Sequence, residues 1–143
     1  SFDTSILVDT VFSDIHITVL DSTTANYQSK RDQAVQTSHG IMLVFSHDKT
    51  TSVESMEEIY NQIGKVRDVR QPLVVVSNKC IVLDIEPKDP QIVENGKNLA
   101  KQWNVPFFEA SATDFHSTEV CFADLVRQIR AIYHDKKDNC CLQ

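Results

Sequence analysis

Asp21, the pair Asn78 and Lys79, and the triplet Ser111, Ala112 and Thr113 each follow closely on a short apolar run. A carboxylate such as Asp21, placed where a strand ends, can hold the water shell of a magnesium ion. Asn78 brings a side-chain amide and Lys79 a cation on an apolar stem, while Ser111 and Thr113 put hydroxyls into a polar loop. A further reactive group lies at the other end of the chain. Cys140 opens the string CCLQ, which has the Cys-a-a-X form that licenses prenylation, and a terminal glutamine favours farnesyl.

These groups need elements to position them. Ile6 to Val8 and Ile15 to Leu20 read as a hairpin, with Ile15, Ile17 and Val19 alternating against His16 and Thr18. Ile41 to Phe45 (IMLVF), Leu73 to Val76 (LVVV) and Val105 to Phe108 (VPFF) are continuous apolar runs, as expected of strands buried on both faces of a parallel sheet. Helices are expected between them. Val53, Met56, Tyr60 and Ile63 form one stripe, with Glu54, Glu57, Glu58 and Asn61 on the other face and Ser52 as N-cap. Ile92, Gly96, Leu99 and Trp103 form a second. Phe122, Leu125, Val126, Ile129 and Ile132 form a third, ending near Tyr133. The order is that of the α/β class with a largely parallel sheet, the leading hairpin adding an antiparallel edge. Ligands of such sheets bind beyond the carboxyl ends of the strands, at Asp21, Ser46, Asn78 and Ser111 onward.

Composition narrows the reading. A chain of 143 residues, 41% apolar and 24% charged, is one domain in size and able to bury a core. Its formal charge of -6 and lack of a basic stripe argue against a nucleic-acid partner. No run of apolar residues is long enough for a membrane span, and no N-terminal leader is evident. The four cysteines include no C-x-x-C pair, so neither a disulfide framework nor a zinc site is expected.

VLDSTTANY (19–27), RDQ (31–33), LVFS (43–46), NKC (78–80), EASAT (109–113), LVRQIR (125–130) and the closing CCLQ occur in the order and rough spacing of a Ras-family small GTPase, and the resemblance covers almost the whole chain. LVFS and the STT after Asp21 are similar to the Di-Ras branch. The resemblance implies a P-loop NTPase-like fold, a Ras-like GTPase domain over 1–133 and a C-terminal tail over 134–143. It also implies a switch that binds GTP or GDP with Mg2+, and effector and regulator proteins as partners. Asn78 would reach the edge of the guanine base and Lys79 would cover its face. Ser111, Ala112 and Thr113 resemble the loop whose backbone amide meets the guanine carbonyl oxygen. Asp21 would hold the magnesium ion through water, and Thr24 occupies the turn position nearest the terminal phosphate.

The departures from the family pattern carry their own expectations. The acceptor that selects guanine should stand at position 81, where this chain has Ile81; Asp84, three residues on, is the candidate replacement. Thr24 stands where the family has a glycine, and threonine resists the dihedrals a glycine permits. No glutamine lies between Asp21 and Tyr27 to orient an attacking water, so no catalytic residue is assigned and hydrolysis is expected to be slow. The three glycines, Gly40, Gly64 and Gly96, form no G-x-x-x-x-G-K-[ST] phosphate cradle. In the family the cradle and the first strand precede the segment aligned here, and that strand lies between the hairpin and IMLVF. About 40 further N-terminal residues are therefore expected of the parent polypeptide. Without that strand the sheet should expose unpaired backbone and an apolar cleft.

The stretch before Cys140, HDKKDN, balances two Lys against two Asp, and one lipid chain without a basic patch binds membranes marginally. The expected location is the cytoplasmic face of a membrane, the plasma membrane foremost, exchanging with cytosol. The alternative function is a pseudo-GTPase, an interaction module that keeps the fold and anchor without a nucleotide cycle.

Overall fold

The computed structural model describes residues 1–20, 25–66, 71–79 and 89–141, with residues 134–141 described by their backbone alone. Strands β1 (Phe2–Val8) and β2 (Val11–Ile17) pair antiparallel, with Phe2 opposite Ile17 and Val8 opposite Val11. The two residues between them, Asp9 and Thr10, have φ of 52° and 64°. Two successive left-handed residues give the tight turn whose twist matches the flanking strands. The hairpin thus begins earlier than Ile6 and ends before Leu20, its outermost pair being Phe2 and Ile17.

Helix α1 (Tyr27–Thr37) has no counterpart in the sequence reading. It buries only Val35, so it carries no apolar stripe that periodicity could reveal. Strands β3 (Ile41–Ser46), β4 (Leu73–Lys79) and β5 (Phe107–Ser111) then form a parallel sheet in that order. Helix α2 (Thr50–Val66) links β3 to the segment before β4, α3 (Pro90–Gln102) precedes β5, and α4 (Phe115–Cys141) follows it. The last strand sits two residues later than VPFF. Pro106 has no N–H for a ladder, but its carbonyl accepts from Val75 N and so starts the pairing.

Alternation along β4 sends neighbouring valines to opposite layers. Val75 joins Leu43 and Phe45 against Val53, Met56 and Ile63 of α2 and Ile92 and Ala100 of α3. Val74 and Val76 pack with Ala110 against Cys121 and Leu125 of α4. A strand covered on both sides needs apolar residues at every position, which is why LVVV is unbroken. Helix α3 comes close to the sheet at Gly96, where a Cβ would stand 2.2 Å from Cζ of Phe45. Asp89 caps α3 by accepting from Gln91 N at 2.9 Å, with Pro90 at the first helical position. Its far end is fixed by Trp103, whose ring stacks on Tyr60 at 3.8 Å between centroids.

Gln128 of α4 completes the sheet where β5 has not begun. Its Oε1 accepts from Leu73 N and its Nε2 donates to Leu73 O, both at 3.0 Å, two residues before Val75 takes its bond from β5. The helix itself continues past Tyr133 to Cys141. The apolar stripe ends with the core beneath it, but intrahelical hydrogen bonds need no core to continue.

The hairpin is not an edge of the main sheet. Among the described residues β1 and β2 form a sheet of their own, and β3 pairs only with β4, leaving Val44 53% exposed. What holds the hairpin is α4. Arg127 binds both carboxylate oxygens of Asp9 at 2.9 Å, and Arg130 donates to Val8 O at 2.7 Å, to Val11 O at 3.0 Å and to Ser13 Oγ at 2.6 Å. The Arg127 guanidinium holds the Asp9 carboxyl below its ordinary range.

Candidate functional site

The parallel register carries the ends of three strands to one rim. Ser46 lies opposite Asn78, Asn78 opposite Ala110, and Lys79 opposite Ser111. Asn78, Lys79 and the Ser111–Thr113 turn therefore come together, as their positions after apolar runs implied. Asp21, Thr24, Ile81 and Asp84 lie outside the described residues, as does the side chain of Cys140.

Two strand-to-helix junctions build the rim in the same way. At the first, Ser52 Oγ accepts from Ser46 N at 3.0 Å and donates within 2.7 Å of Lys49 O. At the second, Ser117 Oγ accepts from Ser111 N at 3.1 Å and donates to Asp114 O at 2.8 Å. Ser52 is thus not the N-cap expected from sequence. It stands inside the first turn of α2, which begins at Thr50, and ties that turn to the strand before it. Sequence reasoning took neither serine for a junction residue. The signal that could have found them is the repeated spacing, a serine six residues after the last strand residue.

The second junction also fixes the loop. Ser111, 5% exposed, binds Thr113 through both its Oγ atom to Thr113 Oγ1 at 3.0 Å and its Oγ to Thr113 N at 3.2 Å, while Asp114 N and Thr118 Oγ1 donate to Ser111 O. The amides of Ser111, Thr113 and Asp114 are engaged in this turn. Ala112 is exposed, its N–H at the end of the ladder next to Lys79. The side-chain amide of Asn78 is likewise exposed and uncommitted among the described residues. Lys79 is half-exposed, its Nζ 3.5 Å from Glu109 Oε2 on the neighbouring strand.

A residue that sequence reasoning passed over underlies this rim. His47, directly after β3, is buried, and its main-chain N donates to Asn78 O at 3.2 Å. Its ring Nδ1 meets the same carbonyl at 3.1 Å. On the other side of the junction Ser46 Oγ donates to Asp48, which holds that carboxyl below its usual range.

The rim presents the exposed amide of Asn78, the Lys79 cation and the Ser111–Thr113 turn side by side at the strand ends. Among the described residues no cluster of His, Cys, Asp or Glu could hold a metal ion. A parallel sheet with helices on both faces and a polar rim at the strand ends places the chain in the α/β class.

The chain belongs to the Ras family, whose model matches residues 3–131. It is 33% identical over 77% of its length to Ras-like protein 2 of Mucor circinelloides f. lusitanicus, of which it covers 54%. It is 35% identical over 73% to Ras-like protein rasB of Dictyostelium discoideum, of which it covers 52%, and 37% identical over 73% to Ras-like protein 1 of Saccharomyces cerevisiae, of which it covers 33%. The chain thus spans about half the length of the first two relatives and a third of the last.

Proposed function

We propose that the protein carrying this chain is a guanine-nucleotide switch that alternates between GTP and GDP, and that this chain supplies its base-contacting corner. The observation that carries the reading is that the parallel register brings the exposed side-chain amide of Asn78, uncommitted among the described residues, beside the exposed Ala112 turn on the adjacent strand end. Asn78 would hydrogen-bond the base edge, the stem of Lys79 would lie over its face, and the Ala112 amide, with Ser111 and Thr113 shaping its turn, would meet the carbonyl oxygen. Magnesium bound with the nucleotide would neutralise phosphate charge, with Asp21 as the carboxylate that holds it through water. Hydrolysis would be slow, since no glutamine lies between Asp21 and Tyr27. A farnesyl group on Cys140 would bring the protein to the cytoplasmic face of a membrane, where effector and regulator proteins read its state.

A second reading, an interaction module without a nucleotide cycle, is favoured by Ile81, because an apolar side chain there leaves the base's donors without an acceptor, at a cost of about 1 to 3 kcal/mol. Titration of the full-length protein with GTP, GDP and ATP, with and without magnesium, separates the two. Micromolar or tighter binding of GTP and GDP, weakened by Asn78→Ala, is the expected result. Undetectable binding of every nucleotide overturns the switch and leaves the module.

A further inference from the structure

We propose that His47 is a positioning residue for base recognition, acting by fixing the main chain of Asn78. The inference rests on the guanine reading above and assigns a role to a side chain outside the contact set.

The case begins with burial. His47 is 4% exposed, although it stands at a strand end where its neighbours Asp48 and Lys49 are open to solvent. Histidine is seldom so fully enclosed without a polar partner. Here a partner is supplied by the Asn78 carbonyl, which accepts from both the main-chain N of His47 at 3.2 Å and its ring Nδ1 at 3.1 Å. A carbonyl can only accept, so Nδ1 carries the proton in this contact.

The geometry explains why this matters for a base. Asn78 is the residue at which β4 leaves the sheet's cover: Ser77 before it is fully buried, and Asn78 itself is exposed. The peptide after Asn78 is held on its N–H side by the ladder to β5 and on its carbonyl side by the main-chain N of His47. The ring of His47, packed in the interior, adds a second donor on that carbonyl and narrows the directions in which the strand end can move. Hydrogen-bonding groups must be held to within about half an ångström to be useful in recognition. With Ile81 in place of an acceptor, fewer contacts share the work of reading the base, and the placing of Asn78 counts for more.

The test measures the affinity of a fluorescent GDP analogue, mant-GDP, for the full-length protein and its variants, with thermal melting recorded for each. His47→Leu removes the ring donor, and His47→Asn restores a nitrogen the same number of bonds from the backbone. His47→Gln carries it one bond farther. The expected results are a roughly tenfold loss for His47→Leu, recovery of most of it in His47→Asn, and less recovery in His47→Gln. In an Asn78→Ala background the His47→Leu loss should vanish, which a merely structural role would not produce. If His47→Leu fails to fold, the difference between His47→Asn and His47→Gln decides the matter. Unchanged affinity in His47→Leu, equal losses in His47→Asn and His47→Gln, or a loss undiminished by Asn78→Ala overturns the inference while leaving the guanine reading intact. Absence of mant-GDP binding by the unsubstituted protein overturns both.

Discussion

Gly96 shows how closely a single position can be constrained by what faces it. A methyl group there would come within 2.2 Å of Cζ and 2.4 Å of Cε1 of Phe45, a ring only 1% exposed and stacked against Phe107. The ring has no open side to move into. Gly96→Ala is therefore expected to destabilise the fold by about 1 to 3 kcal/mol despite the gain in helix propensity, read as a lowered urea midpoint. Trimming the ring in Gly96→Ala/Phe45→Leu should recover part of the loss. From sequence Gly96 was placed on the apolar stripe of its helix, but that stripe carries no information about the partner ring. That Asn78, Lys79 and Ser111–Thr113 share one rim was foreseeable, because each follows an apolar run that became a neighbouring parallel strand. His47 was not, because burial of a polar residue depends on contacts between strands that one chain's pattern does not encode.

At the scale of elements, the hairpin hangs on α4 through the Arg127–Asp9 and Arg130 contacts. Its link to the protein should be acid-sensitive in a definite direction. The Asp9 carboxyl is held below its ordinary 3.8 mainly by its hydrogen bonds to Arg127, so the folded state binds its proton less readily than the unfolded state. The pair's contribution is complete above pH 3.8 and is lost as the pH falls through the lower folded-state value. Hydrogen exchange across β1 and β2 should accelerate in that acidic window more than exchange in β4. In Asp9→Asn the hairpin should exchange faster at neutral pH and lose this step; an unchanged step would assign it to other carboxylates. The elements themselves were mostly foreseeable. The three parallel strands and α2 to α4 were announced by unbroken apolar runs and by stripes, whereas α1 buries one residue and left no stripe to find. The hairpin's separation from the main sheet was visible only once hydrogen-bond partners were known.

Over the whole molecule, family membership places the chain, while its anchoring rests on the proposal for Cys140. No helix among the described residues is long and apolar enough to cross a membrane. On the proposal for Cys140 a lipid supplies the attachment, and one chain without a basic patch should hold the protein only reversibly. Fractionation of cells expressing the full-length protein should therefore show it divided between membrane and soluble pools. Cys140→Ser should abolish the membrane pool, and an unaltered division would refute the farnesyl assignment.

The two serine junctions at the rim have a bearing on how this molecule comes to exist. Each joins residues only six positions apart, Ser46 to Ser52 and Ser111 to Ser117. The parallel pairings they border span far longer stretches, as between Ile41 and Leu73. Closing a short loop costs less chain entropy than closing a long one. The edges of the rim are thus its cheapest parts to form, and can nucleate locally before the three strands have met.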